Sequence, residues 1–300
     1  MHPHCHPRLR GLLCVAALLL AAPAPAQNTN AAQEVESAWK AAQASAQMGP
    51  GEVKLREQAT LKLPARHAFI PDAAAARVLN AMGNPTGARL LGLIVPTGEN
   101  SADWMVVARY EASGYIRDSD AKDWDVDELF KSLKEGTEQS NAEREKRGIP
   151  AIEVTGWIER PHYDAATHRL VWSIAARDKG ASGDAAQIVN YNTYALGRQG
   201  YISLNLITSR KDVETDKHAA QTLLANLDFN GGKRYADFNS STDKVAEYGL
   251  AALVAGVAAK KLGLLAVIAA FLAKFAKFAI IAAGGLLYGI GKLFKRKSGQ

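Results

Sequence analysis

The sequence predicts an α+β fold: a mostly antiparallel sheet with flanking helices, followed by a C-terminal apolar helical membrane anchor. Three observations carry that expectation. Residues 152–208 read as four strand-like runs joined by turns of hairpin length, the pattern of an antiparallel meander. The strands and helices before them are clustered rather than strictly alternating, which argues against a parallel βαβ sheet. From Val245 to Phe294 the chain is far more apolar than anything upstream and ends in the basic cluster Lys295, Arg296 and Lys297.

Arg8 and Arg10 precede an apolar run, Gly11 to Ala22, and Ala24-Pro25-Ala26 offers small residues before Gln27. This is the pattern of a secretory signal peptide over 1–26, which is set apart from the fold. Both cysteines, Cys5 and Cys14, lie within it, so the mature chain carries no disulfide, thiolate metal site or cysteine nucleophile. The cluster His2, His4, Cys5 and His6 resembles a metal set but falls in the same removed segment.

Residues 27–50 read as a helical linker, with Val35, Trp39, Ala42 and Ala46 near one face and Gly49-Pro50-Gly51 ending the helix. The exported α+β domain spans 51–238. Val53, Leu55, Ala59, Leu61 and Leu63 alternate with polar residues, and Ala68-Phe69-Ile70 extends the strand pattern. Asp72 is placed to cap a helix over 73–82. Leu90 to Val95 and Asp103 to Glu111 read as an antiparallel pair. Val126, Leu129, Phe130 and Leu133 put one apolar face on a helix that runs to about Arg147. After the meander, a helix is expected from Val213 to Leu227. Ser240 to Asp243 are then placed to cap the tail helix.

The anchor, 243–297, is cut by lysines into blocks, none of which reaches the roughly 20 apolar residues that a spanning helix needs. A span must therefore include Lys274 and Lys277. Summed over residues 262–291, apolar insertion contributes roughly −4 to −8 kcal/mol against about +5 to +7 for the two lysines, so insertion is finely balanced. At about 100° per residue, Lys260, Lys277 and Lys292 lie within roughly 60° of Lys274 and form one stripe. That stripe can face a partner helix, snorkel, or lie toward headgroups if the segment rests in the interface plane. A single span with the domain outside leaves the terminal basic cluster in the cytoplasm, as the positive-inside rule favours, whereas a hairpin does not. The resulting expectation is an inner-membrane protein with one pass and its soluble domain on the periplasmic side.

The basic isoelectric point does not belong to the folded part. Residues 27–244 carry 26 basic and 29 acidic side chains, so nucleic acid is not an expected partner. The expected partners are membrane lipid, an envelope protein, or a second copy joined through tail spacings such as Gly285 to Gly289.

Candidate chemistry is sparse. Asp118, Asp120, Asp123, Asp125 and Asp127 form a dense carboxylate group, but neither register supplies the glycine and the final acid of a calcium loop. Acids at the start of a helix are favoured by its dipole. His162 and His168 sit at either end of one hairpin turn, where their rings could meet, but His67 and His218 stand at no metal-motif spacing from them. Ser182 lacks the downstream glycine of a nucleophile elbow. Trp104, Trp157, Trp172, Tyr191, Tyr194 and Tyr201 fall in strands and suit a core better than a ligand box. Neither a phosphate loop nor a dinucleotide fingerprint occurs, so no cofactor is expected.

Four stretches, DWMVVARYEASGYIRDSDAKDWDVDELFKSLKEGTEQSN, GWIERPHYDAATHRLVWSIAARDKG, VNYNTYALGRQGYISLNLIT and FNGGKRYADFNSSTDKVAEYGLAALVAG, resemble an uncharacterised bacterial family of membrane-anchored proteins with a domain of unknown function. The resemblance covers most of residues 50–297. It implies bacterial origin and membrane anchoring, and it carries no catalytic or ligand residue. The leading expectation is a non-enzymatic envelope binding or scaffold module. Its rivals are an envelope hydrolase using the 118–127 acids or His162 and His168, and a tail that acts directly on the bilayer.

Overall fold

A computed structural model describes residues 27–84, 86–98, 102–146, 150–183 and 187–255. The expected signal peptide, 1–26, and the tail beyond Ala255, including Lys260, Lys274, Lys277 and Lys292, lie outside the described residues. Among the described residues, no helix is long and apolar enough to cross a membrane.

The chain runs α1 (Gln27–Ser45), β1 (Gln47–Met48), β2 (Gly51–Leu55), β3 (Ala59–Leu63), β4 (His67–Pro71), α2 (Asp72–Ala81), β5 (Leu90–Pro96) and β6 (Met105–Glu111). It continues through α3 (Val126–Lys146), β7 (Ile152–Asp164), β8 (Arg169–Asp178), β9 (Ile188–Gly197), β10 (Gly200–Ser209), α4 (Val213–Ala225), β11 (Leu227–Phe229) and α5 (Ala251–Ala255). Eight strands form one sheet in the order β1-β4-β5-β6-β10-β9-β8-β7, and β11-β3-β2 form a second, smaller sheet. Every pairing between these strands is antiparallel. This is the expected α+β class, and the expected pairs β5–β6 and β7 to β10 are present.

Side-chain alternation sorts the core into layers. One face of the large sheet presents Val106, Ala108, Tyr191, Ile202, Leu204 and Leu206 to α4 and the small sheet. The opposite face is covered at its two ends. At one end, α1 and α2 pack Val35, Ala38, Ala42, Val78 and Leu79 against Ile70, Leu93 and Val107. At the other, Leu129 and Leu133 of α3, Val254 of α5 and Leu250 just before α5 pack against Leu170, Trp172 and Tyr194. Asn141 on α3 fixes this end by donating to the Ile152 carbonyl and accepting the Ile152 N–H, both at 2.9 Å.

Several boundaries differ from expectation, each for a tertiary reason. The first helix ends at Ser45 because Gln47 and Met48 pair with Phe69 and Ala68 at the edge of the large sheet. It docks on α2 through buried alanines, so it is part of the domain rather than a linker. Asp72 is the first residue of α2, not its cap: Pro71 precedes it, and Asp72 Oδ1 accepts only the adjacent Ala73 N–H at 2.8 Å. The helix expected to end at Leu227 stops at Ala225, and Leu227–Phe229 joins β3 as a third strand. The tail helix is not capped by residues 240–243, as described below.

The aromatics are core, as their strand positions suggest. Trp104, Trp172, Tyr191, Tyr194 and Tyr201 are all buried. Trp157 is half-buried and packs edge-on to Trp172 at 6.2 Å.

Candidate functional site

The acidic segment and the β7–β8 turn converge in space. Asp164 Oδ1 accepts the Ala166 N–H at 2.9 Å and its Oδ2 accepts the Thr167 hydroxyl at 2.6 Å, which closes the turn. His168 then takes a left-handed backbone conformation, φ 54°, uncommon outside glycine although histidine adopts it more readily than most residues. This turn aims the imidazole back over β7. Tyr163 donates its hydroxyl to Asp118 Oδ2 at 2.8 Å, and the Tyr163 hydroxyl oxygen lies 3.1 Å from His168 Nδ1. His168 Nδ1 is 3.8 Å from Asp118.

Aromatic rings wall the cluster. His168 stacks on Tyr235 at 4.1 Å, Tyr235 on Tyr115 at 4.4 Å, and Tyr115 on Phe238 at 3.8 Å. The Tyr235 hydroxyl donates to the Ile116 carbonyl at 2.7 Å. Burial, then the hydrogen bond to Asp118, pushes the Tyr163 phenol far above its ordinary range. It therefore stays protonated and acts as a donor rather than as a base.

His162 takes no part. It pairs with Val171 across the hairpin and its side chain is exposed, because adjacent strand residues face opposite sides. The ring that meets His168 belongs to Tyr163, one residue on. His67 bonds locally to the Ala65 carbonyl at 2.9 Å, and His218 is exposed on α4. Ser182 is exposed in its turn. Among the described residues no group of three or more His, Cys, Asp or Glu is arranged to hold a metal ion.

The remaining aspartates hold structure. Asp125 Oδ1 accepts the N–H groups of Asp127 and Glu128, both at 3.0 Å, capping α3. Asp120, in the short helical turn Ser119–Asp123, accepts the N–H groups of Leu250 and Ala251 at 3.1 and 2.9 Å. It caps α5 from 130 residues upstream in the chain. A Cβ at 249 would lie 2.5 Å from Asp120 Oδ2, so any larger residue there must push the capping carboxylate aside. Just before it, the Tyr115 N–H donates to the Lys244 carbonyl and the Ala246 N–H to the Tyr115 carbonyl, each at 2.8 Å. Residues 244–255 are thus built into the domain, with Leu250 and Val254 fully buried.

Asp243 holds the preceding loop. Its carboxylate accepts two bonds from Arg198, at 2.7 and 2.9 Å, and one from the Asn239 N–H at 2.7 Å. The Arg198 bonds chiefly, then the Asn239 N–H, hold its carboxyl down from 3.8 to about 2. A depressed carboxyl contributes stability that is present above its unfolded value, about 4, and lost as pH falls through about 2. Asp243→Asn is expected to flatten that part of the acid limb. Urea midpoints at about pH 5 and about pH 2.5 should differ less in the variant than in the wild type.

The 47–284 segment matches the family model described as a protein of unknown function, DUF2167. The chain belongs to this family. No curated protein matches it in sequence. Among solved structures, cyanobacterial PsbP (CyanoP) from Synechocystis sp. PCC 6803 is similar at 11% identity and a TM-score of 0.35, covering 62% of this chain and 94% of that one. PA94 from Pseudomonas aeruginosa, a protein of unknown function, is similar at 11% identity and a TM-score of 0.26, covering 57% of this chain and 90% of that one.

Proposed function

We propose that this DUF2167 protein is an exported binding module, anchored in the inner membrane by one pass of its tail, that recognises an envelope component without catalysing a reaction. The observation that carries the reading is the seat of the tail root. Asp120, from the one segment with a catalytic look, caps the helix that leads into the apolar tail. An anchor rooted in the core, instead of trailing from a flexible linker, sets the orientation of the sheet relative to the bilayer. That suits a module that must present one surface.

Fractionation of the intact protein from its own cells tests this. The protein should stay with the inner membrane through an alkaline wash, with residues 51–238 open to protease added outside the cytoplasm. Recovery in the supernatant would overturn the anchor. Asp120→Ala should leave the protein in the membrane while lowering stability by about 1–2 kcal/mol, the usual worth of a cap. Protease should then cut near residues 245–250.

The convergence of Asp118, Tyr163 and His168 favours a second reading, an envelope hydrolase. Under that reading His168→Ala abolishes a cellular phenotype at unchanged protein level. Under the binding reading the phenotype survives whenever the protein level does.

A further inference from the structure

The two sheets end in four edge strands, β1, β7, β11 and β2. β1 and β11 are two and three residues long. β7 is long, but its register on β8 shifts at three places and α3 packs over it; both features guard an edge against further pairing. β2 has neither. It pairs with β3 without a break from Gly51–Leu63 to Leu55–Ala59, and among the described residues no strand lies on its other side. Gly51, Glu52 and Lys54 are exposed, whereas Val53 and Leu55 are buried.

Hydrogen bonds on the far side of β3 show which backbone groups this edge presents. The Lys62 N–H donates to the Asn226 carbonyl at 3.0 Å, and the Gln58 carbonyl accepts the Asn230 N–H at 2.9 Å. Even-numbered residues of β3 thus bond toward β11, and odd-numbered ones toward β2. Glu52–Lys62 and Lys54–Thr60 are therefore the pairs of the ladder that exchange no hydrogen bonds. The N–H and C=O groups of Glu52 and Lys54 point out of the open edge instead. On the outer face, Lys62 is engaged by Asp228 at 3.9 Å. Met48, 50% exposed, stands just before β2 at the same edge.

We propose that β2 pairs antiparallel with β2 of a second copy of this chain, about a two-fold axis at Val53. This register sets Glu52 opposite Lys54 of the second copy, and Lys54 opposite its Glu52. Both are residues with outward backbone groups, so each pair exchanges its two hydrogen bonds and also opposes unlike charges. A register centred on residue 52 puts Glu against Glu, and one centred on 54 puts Lys against Lys, so charge selects the register. Edge charges ordinarily guard against pairing; a Glu and a Lys two residues apart complement an antiparallel copy of themselves, as a two-fold interface requires. In this register the turn after β2 of the second copy runs past Met48. The pairing goes beyond the binding-module reading and does not rest on the anchor, so fractionation and pairing fail separately.

Disulfide trapping of the intact protein tests the register. Wild type is the background control, since its cysteines, Cys5 and Cys14, both lie within 1–26. Glu52→Cys and Lys54→Cys are made separately, then mixed and oxidised. A hydrogen-bonded antiparallel pair holds its Cα atoms about 5.5 Å apart, within disulfide reach. Residues 52 and 52 of the two copies lie diagonally, roughly 8 Å apart and beyond it, as do 54 and 54. The mixture should give at least tenfold more covalent dimer than either variant alone. Sedimentation equilibrium of the detergent-solubilised protein tests the charges. Glu52→Lys and Lys54→Glu should each weaken dimerisation about tenfold, and the double variant should recover it to within about threefold of wild type. All three should melt with the wild type, because both positions are exposed. A mixture that cross-links no better than either variant alone, a double variant that stays as weak as the singles, or a cysteine captured by a different protein in place of a second copy would each overturn the proposal.

Discussion

Gly200→Ala is expected to destabilise the domain by about 4 kcal/mol or more, at the extreme of single-substitution effects. Gly200 opens β10 with φ 153°, and a Cβ there would lie 1.8 Å from the Glu111 carbonyl oxygen and 2.9 Å from its carbon. Both are backbone atoms, so no rotamer change relieves the clash. The next residue, Tyr201, pairs with Glu111, so β10 would have to part from β6 to make room. That pairing is the seam joining the strands before α3 to the meander after it. Urea unfolding reads the result as a large fall in midpoint. Gly231→Ala, where an added Cβ meets nothing within 4 Å, should stay within about 0.5 kcal/mol. Equal midpoints for the two variants would show that the seam yields.

Leu250→Ala is expected to cost about 2–5 kcal/mol, the range for emptying a fully buried leucine site. Leu250 is 0% exposed and packs in one cluster with Leu129, Leu133, Trp172 and Tyr201. Its own N–H is held by Asp120, which limits how far the segment can move in to fill the gap. The loss should therefore approach the upper part of the range. Its local consequence is release of the tail root, visible as faster hydrogen exchange at residues 244–255 while β9 and β10 keep their protection. If exchange in 244–255 is unchanged, the tail root is held without Leu250.

These two substitutions separate two failures. Gly200→Ala breaks the sheet and should remove the whole domain. Leu250→Ala is expected to leave the sheet folded and loosen its hold on residues 244–255.

What the sequence determined by itself is what local pattern can encode. The four-strand meander follows from period-two alternation and hairpin turns, and α3 from an apolar stripe beginning at Val126. The burial of Trp172, Tyr191 and Tyr201 follows from their strand positions. The same period-two rule could have pointed to Tyr163 over His162 as the partner of His168, since alternate residues of β7 share a face. Tertiary structure alone decided the rest, because the deciding partners are distant in the chain. Leu227–Phe229 is too short to be read as a strand until β3 offers it an edge. Ser240 to Asp243 have the composition of a helix cap, yet Asp243 is claimed by Arg198, 45 residues away, and α5 is capped by Asp120. Asn190, Asn192, Ser203 and Asn205 read locally as the wet side of half-buried strands. Only the tertiary packing buries them, and it leaves the Oδ1 atoms of Asn190, Asn192 and Asn205 without a partner among the described residues.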